Sequence, residues 1–261
     1  MKRLTKIWLL MAKNAAQEQL LTSSSGFFFI TGKVLRFLFM IVFLLVVLSQ
    51  TKTLAGYSRE QVILFFLIFN IVDIFTQFLF RGAYHFRSLI TSGNFDLDLL
   101  RPLPSFFRPI FGYTDILDLI TLIPLLIFFV WFIFSQQLFA GFNHLFLAML
   151  LLFNSFILGF SFHLFACSVG IITMEVDHLL WIYRDMTGMA RFPTDIYREV
   201  IRWVLTFTIP VVFLFTIPTK ALMGLISWPW VVAAFLVNGL FLWGSLRLWR
   251  YALTQYSSAS S

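Results

Sequence analysis

The feature that most limits the fold of this chain is a series of apolar runs that approach or exceed twenty residues. Of its 261 residues, 60% are hydrophobic and 12% are charged, whereas a soluble domain is about 25% charged. A helix needs about 20 predominantly apolar residues to cross a bilayer. The sequence therefore predicts an all-α polytopic membrane protein, built as a single transmembrane domain over residues 1–261.

Hydropathy predicts six transmembrane helices, which places both termini on the same side of the membrane. The predicted spans are Gly32–Ser49, Val62–Phe80, Ile110–Phe134, Leu145–Thr173, Trp203–Ile217 and Leu225–Leu246. With the N-terminus inside, 16 of the 19 Lys and Arg residues fall on the inner side, and the other 3 are Lys52, Arg59 and Lys220. Because Lys and Arg collect on the cytoplasmic side, this distribution predicts cytoplasmic termini. It also explains the net charge of +7 without a nucleic-acid partner.

Residues 2–21 show the period of an amphipathic helix that lies in the cytoplasmic membrane interface. Leu4, Ile7, Trp8 and Met11 recur at helical spacing, and the lysines fall mainly off that stripe. The segment is too polar for the apolar region of a cleavable signal peptide. We therefore expect an interfacial helix within residues 1–25, serving either as an anchor alone or also as a binding element for a partner.

The predicted fifth span is unusual because it is short and carries prolines. Pro210 lies inside it and Pro218 lies just beyond it, and proline kinks or ends a helix. We expect a re-entrant or interfacial turn over residues 218–226 on the outer side, with both prolines near an outer gate. A kinked helix followed by a tight loop is the alternative.

Polar residues inside the predicted spans are candidates for a transport pathway. Asn70, Asp73 and Gln77 share one helical face of the second span, and Asn154 and His163 lie in the fourth. A charge near the middle of the membrane must face protein or water, so His163 is a candidate partner for Asp73. The set either lines a polar pathway or forms hydrogen bonds that only hold the bundle together.

Motifs for catalysis and for metal or nucleotide binding are missing from the sequence. Cys167 is the single cysteine, and the four histidines show no metal-ligand spacing. No GxSxG turn and no GxxxxGK[ST] phosphate loop occurs. We therefore expect no enzyme activity, no metal and no cofactor bound by this chain.

Two longer cytoplasmic segments are predicted, residues 81–109 after the second span and Met174–Arg202 before the fifth, and the first of them carries the clearer pattern. Its first part predicts a short helix, Ala83–Ser92, that Gly93 ends. The alternation in FDLDLL predicts an extended segment with an apolar side, made of Phe95, Leu97 and Leu99, that is available for docking. Prolines after this segment stop further regular structure. Residues 81–109 are thus expected to form a rigid elbow, which can transmit force.

Three motifs in this chain resemble type 2 ATP-binding-cassette (ABC) exporter permeases of the six-span bacterial subfamily. ITSGNFDLDLLRPLP is similar to the pattern Ile-x-x-Gly-x-Leu/Phe-Asp-x-Leu-Leu-x-Arg-Pro-Leu. ARFPTDIYREVIRWVLTFTIPVVFLFTIPTKALMG and WRYALTQYSSAS resemble that subfamily's fifth-span region and C-terminal tail. The chain departs from the pattern at Arg198, where proline is frequent, at Ser260, where glycine is common, and by one extra residue before Leu99.

The resemblance implies that this chain is a permease subunit of an ABC exporter in a bacterial inner membrane. It implies two copies of a separate ATPase subunit, which would bind ATP and Mg, and a second permease chain, either identical or related. Membrane lipids would surround the assembly. The residues then expected to couple to the ATPase are Phe86, Leu89, Ser92, Gly93, Phe95, Asp96, Leu99, Arg101 and Pro102.

Two other functional classes remain open on the sequence alone. A gradient-driven secondary transporter or channel would use Asp73 as its coupling site and need no ATPase. A membrane enzyme would need a catalytic constellation, which the sequence does not offer. The many phenylalanines favour amphipathic or lipidic cargo, but phenylalanine also fills membrane helices that face lipid.

Overall fold

A computed structural model describes residues 2–21, 23–50, 53–173 and 175–257, and no β-strand occurs within these ranges. The α-helices in them are α1 (Lys2–Leu21), α2 (Ser23–Gln50), α3 (Arg59–Phe80), α4 (Phe86–Thr91), α5 (Asn94–Leu99), α6 (Phe107–Phe111), α7 (Ile116–Ser135), α8 (Phe142–Thr173), α9 (Asp177–Gly188), α10 (Glu199–Trp203), α11 (Ile217–Leu222) and α12 (Trp228–Gln255). Within the described ranges, five helices are long and apolar enough to cross a membrane, namely α2, α3, α7, α8 and α12. The predicted all-α membrane class is confirmed.

Helix α3 defines the two ends of the bundle. It begins at a capping box, in which the Ser58 hydroxyl accepts from Gln61 N at 3.3 Å and the Gln61 side chain accepts from Ser58 N at 2.9 Å. It ends at Phe80. We call the segment that follows, residues 81–104, the elbow. We call the Arg81 side of the bundle the elbow end and the Ser58 side the opposite end. At 1.5 Å per residue, the 22 residues of α3 span roughly 33 Å.

Helix α1 lies at the elbow end. The Gln19 side chain donates to Thr114 O at 3.1 Å and accepts from Ile116 N at 3.0 Å, just where α7 starts. Trp8 packs edge-to-face on Phe78 near the end of α3. The predicted helix over residues 2–21 is observed with those bounds.

Helices α8 and α12 form the most extensive helix pair in the bundle. Asn154 donates to Ala234 O at 3.2 Å, and Asn238 donates to Asn154 O at 2.8 Å, so two buried amides join the helices. On its other side α8 approaches α3 closely, since a Cβ added to Gly159 would lie 2.9 Å from Thr76 Cγ2. Small residues allow this approach, as they do in membrane helices generally.

Residues 177–196 run the full length of the bundle, from one end to the other. At the elbow end, Arg87 Nη1 lies 3.4 Å from Asp177 Oδ2. At the opposite end, the Tyr57 hydroxyl donates to Asp195 Oδ2 at 2.7 Å. The segment therefore joins the two ends of the bundle and makes its fifth crossing.

This crossing is polar on one side and apolar on the other. Leu180, Tyr183 and Ala190 are buried in the protein at helical spacing, while Arg184 and Arg191 line a cavity. Charged residues inside membrane proteins face cavities or partners instead of lipid. Its mixed composition is why hydropathy does not detect this segment as a span.

The predicted fifth span, Trp203–Ile217, belongs instead to a re-entrant pair. Glu199–Thr208 and Val212–Leu222 meet at an angle of 83°. The first helical half begins just after Asp195, at the opposite end of the bundle. The second half also finishes there, because Lys220 Nζ lies 2.8 Å from the Asp195 carboxylate. In addition, the Leu222 carbonyl accepts from Ala140 N at 3.1 Å. Because the pair starts and ends on one side, it does not cross.

The physical reason for this difference is that the second half of the pair is buried in protein, whereas most of the first half is exposed. Pro210 lies at the bend, and residues 210–219 are all buried. Irregular backbone at membrane depth survives only when protein or a cavity encloses it. The turn predicted at 218–226 therefore overlaps only the last part of a larger re-entrant element.

Cysteine labelling tests this arrangement. In a variant without Cys167, a cysteine at Arg202 should react with a membrane-impermeant maleimide on the same side as a cysteine at Arg59. A cysteine at Arg87 should react only from the other side. Arg59, Arg87 and Arg202 are all exposed, so each offers a reactive position. Labelling of position 202 together with position 87 would show that residues 199–222 cross the membrane.

Candidate functional site: the elbow and a charged cavity

The elbow is a compact pair of short helices. A 3₁₀ turn at Arg81–His85 leads into α4, Gly93 adopts φ +71° in the left-handed region, and α5 follows at once. Glycine adopts this conformation without steric cost, so the predicted helix stop at Gly93 is confirmed. The predicted extended segment is wrong, because Asn94–Leu99 is helical.

The helical period changes which side chains of the elbow face outward. Phe95 and Asp98, three residues apart, are both buried, whereas Leu97 is 56% and Leu100 is 82% exposed. The predicted apolar face of Phe95, Leu97 and Leu99 therefore does not exist. Residues i and i+3 share a helix face, whereas residues i and i+2 share a face only in a strand.

Phe95 anchors the elbow to the end of α12. Its ring centroid lies 5.0 Å from that of Phe86, 6.2 Å from that of Trp249 and 5.1 Å from that of Tyr256. Phe86 and Phe95 are both fully buried. Edge-to-face aromatic pairs of this kind contribute about 0.5–1.5 kcal/mol beyond the area that they bury.

Two hydrogen bonds reinforce this aromatic anchor. The Tyr256 hydroxyl donates to Asp96 Oδ1 at 2.8 Å, and the Trp249 indole N–H donates to Ser105 Oγ at 2.8 Å. Partial burial, together with the hydrogen bond to the Asp96 carboxylate, raises the pKa of Tyr256 to about 12. The tyrosine is therefore a hydrogen-bond donor at physiological pH.

Ion pairs fix the elbow to the rest of the elbow end. Buried Asp98 pairs with Arg108 of α6 at 2.7 Å and with Arg101 at 3.7 Å. The pair of Arg87 and Asp177 links α4 to the start of the fifth crossing. A close approach adds to this rigidity, since a Cβ on Gly82 would lie 2.6 Å from the Pro109 carbonyl oxygen.

We call the exposed side of the elbow the elbow surface. Of the nine predicted coupling residues, Ser92, Leu99, Arg101 and Pro102 are exposed, Leu89, Gly93 and Asp96 are partly buried, and Phe86 and Phe95 are buried. The elbow surface also contains exposed residues that the sequence analysis did not assign to coupling, which are His85, Arg87, Ser88, Thr91, Asn94, Leu97, Leu100 and Pro104.

A second feature is a cavity of about 1140 Å³ between α2, α3, α7 and the fifth crossing. Asn70, Asp73 and Gln77 all line it, so the polar face of α3 points into this space. Two more of its lining residues, Arg184 and Arg191, were assigned by sequence to a cytoplasmic segment. Only the course of residues 177–196 places them here.

The cavity wall is strongly charged. Its cationic residues are Lys33, Arg81, Arg184 and Arg191, and its acidic residues are Asp73 and Asp118. Lys33 pairs with Asp118. Arg81 lies 3.7 Å from Asp115, which caps α7 by accepting from Leu117 N at 3.1 Å.

Asn154 and His163 do not line this cavity. Asn154 joins α8 to α12, as described above. His163 is fully buried, its Nδ1 contacts Gly159 O at 2.7 Å, and its Nε2 has no hydrogen-bond partner among the described residues. The predicted pairing of His163 with Asp73 is therefore wrong, and neither α8 residue belongs to the lining of this cavity.

The comparison with protein families now identifies the class of this chain. The family model of ABC-2 family transporter proteins matches residues 34–260. The chain therefore belongs to the ABC-2 transporter family, and it is a permease component of an ABC transporter. A search of curated proteins and a search of solved structures found no match.

The described part of the chain contains no group of three or more His, Cys, Asp or Glu residues that could hold a metal ion. Cys167 is buried in the interior. The last residues of the C-terminal motif, 258–260, including Ser260, lie outside the described residues, as do residue 261 and Lys52.

Replacing Phe95 by Ala should lower stability markedly, because it empties the centre of the aromatic anchor. Truncation of a buried phenylalanine costs about 3–5 kcal/mol. The matched control is Leu100→Ala on the exposed side, which should change stability by less than about 0.5 kcal/mol. Thermal unfolding of both purified variants in detergent measures the difference. Equal melting temperatures would show that Phe95 does not anchor the elbow.

Proposed function

We propose that this chain is the permease subunit of an ABC exporter that pairs with a second permease chain and is driven by separate ATPase subunits. Membership of the ABC-2 family supports an ATPase partner in general. The sequence lacks a phosphate loop, so ATP and Mg belong on the partner. The substrate pathway lies between the two permease chains.

The observation that carries the proposal is an exposed elbow surface joined rigidly to the transmembrane helices. Leu97, Leu99 and Leu100 project from it, next to Arg101. Behind them, Phe95 packs on the end of α12. A force applied to the elbow surface is therefore transmitted to α12 and the other transmembrane helices, because no flexible loop lies between them in the described part of the chain.

The distribution of cations supports a cytoplasmic elbow end. Lys33, Arg184 and Arg191 line the cavity inside the bundle. The opposite end holds Arg59, Arg198, Arg202 and Lys220. The elbow end holds Lys2, Arg3, Lys6, Lys13, Arg81, Arg87, Arg101, Arg108, Arg247 and Arg250, the larger share of the 19. The excess of Lys and Arg at the elbow end over the opposite end is smaller than the sequence predicts, but it has the same sign. We place this end, with both termini, in the cytoplasm of a bacterial cell and the chain in the inner membrane.

The re-entrant pair fits an outer gate in this orientation. Its two ends lie at the opposite end, while the bend at Pro210 and the proline at Pro218 near the start of α11 are buried inside the bundle. The buried second half packs against α8 and α3, and so closes the bundle from outside. Opening of the pathway would move this element.

Docking of the ATPase is tested with Leu97→Asp/Leu100→Asp. Two aspartates on the elbow surface should abolish co-purification of the ATPase subunit and vanadate-sensitive ATP hydrolysis, because the apolar contact that the two leucines make with the ATPase is lost. The control is Leu225→Asp, an exposed leucine at the opposite end. Tagged full-length chains are purified from native membranes, and the bound phosphate-loop subunit is measured by mass spectrometry.

Normal ATPase recovery with the double variant would overturn the coupling assignment. Loss of the ATPase in Leu225→Asp as well would mean that both changes act through misfolding. A second permease chain recovered with the wild type would identify a heterodimer, and its absence would favour a homodimer.

One observation favours the gradient-driven alternative, namely that Asp73 lines the cavity. Asp73→Asn separates the two mechanisms. Under the exporter proposal, ATP-driven transport in reconstituted vesicles should change by less than about threefold, since the carboxylate performs no coupling step. A loss of more than about a hundredfold with unchanged thermal stability and ATPase binding would favour ion coupling through Asp73.

A further inference from the structure

The cavity between α2, α3, α7 and the fifth crossing combines a cationic interior with an apolar rim. We propose that it is a binding site for an amphiphile with an anionic headgroup, such as a phosphate or a carboxylate. This site lies inside one chain and is distinct from a pathway between two permease chains. The argument rests on its charges, their positions along the bundle and its opening.

The interior carries an excess of positive charge. Four cationic side chains line it against two carboxylates. Asp118 is paired with Lys33, and Arg81 lies 3.7 Å from Asp115, so the lining together with Asp115 carries one net positive charge. Positive charge inside a membrane is costly unless it meets an opposite charge or water. An anionic group in the cavity would compensate this excess, and guanidinium groups bind carboxylate and phosphate oxygens in bidentate geometry.

The cationic residues are spread along the bundle from the elbow end to its middle. Arg81 follows α3 directly, and Arg184 lies 6.0 Å above the Tyr84 ring, close to that end. Arg191 lies 5.5 Å from the Phe69 ring, halfway along α3. A headgroup that enters from the elbow end therefore meets cations until it reaches mid-membrane depth.

The rim of the cavity is apolar and faces lipid. Phe28, Phe39 and Phe43 from α2 and Ile120 and Phe128 from α7 line the cavity, and all five are exposed. Exposed aromatic and aliphatic side chains at membrane depth contact acyl chains. A ligand that enters between α2 and α7 therefore has its chain against this rim and its headgroup inside.

The size of the cavity agrees with a lipid-like ligand. At about 1140 Å³ it exceeds the space that a free phosphate would fill, and ligand pockets of about 300–1,000 Å³ hold drug-sized molecules. The observations therefore favour an amphiphile over a soluble ion.

Native mass spectrometry of the purified full-length chain in detergent tests this site. The probes are phosphatidylglycerol, phosphatidylcholine with the same acyl chains, and inorganic phosphate. Phosphatidylglycerol should bind about tenfold more tightly than phosphatidylcholine, a preference that corresponds to about 1.4 kcal/mol. Arg184→Gln/Arg191→Gln should reduce this preference to within about twofold, because half of the cations are removed.

Two controls separate this effect from misfolding and from general surface charge. Arg247→Gln/Arg250→Gln removes the same charge from α12, outside the cavity lining, and should keep the tenfold preference. Asp73→Asn removes a negative charge from the lining and should strengthen phosphatidylglycerol binding by about two- to threefold. A misfolded protein would not give this gain.

The outcomes decide between the sources of the anion. Displacement of phosphatidylglycerol by inorganic phosphate would support the shared anion site. Equal binding of both lipids, or an equal loss in the α12 control, would overturn the proposal. Phosphate binding without lipid preference would replace the amphiphile by a soluble anion. The test needs no ATPase, so its result is independent of the co-purification experiment.

Discussion

The structure depends on one constraint, which is that a polar segment crossing a membrane must be enclosed by other helices. Residues 177–196 carry Arg184 and Arg191, and a charge exposed to lipid is costly. Their apolar side, with Leu180 and Tyr183, packs in the interior. Their charged side leaves a cavity that α2, α3 and α7 enclose. The helix arrangement and the cavity therefore have the same cause.

The same crossing connects the elbow to the cavity. Asp177, at its start, pairs with Arg87 of the elbow, and Arg184, two turns later, lines the cavity. Arg81 belongs to both features, since it begins the elbow and lines the cavity. Any movement that an ATPase imposes on the elbow would therefore change the positions of the cavity cations, which gives the proposed coupling a physical route to the proposed ligand.

The opposite end is held by a different set of contacts. Asp195 accepts from the Tyr57 hydroxyl and pairs with Lys220, so one carboxylate joins the start of α3, the end of the fifth crossing and the re-entrant pair. The re-entrant helices can therefore enter and leave the bundle at one side without an additional crossing. Pro210 supplies the bend, because it removes a backbone donor at that point.

The sequence by itself determined the membrane class, the N-terminal helix, five of the crossings and the stop at Gly93, because apolar length and glycine at a helix end are local signals. Only the tertiary structure decided that residues 177–196 cross and that residues 199–222 return. Hydropathy measures composition and cannot tell an apolar side chain that faces lipid from one buried in protein. Likewise, alternation in FDLDLL predicted an extended segment, but residues 94–99 form a helix in which Phe95 packs on Trp249.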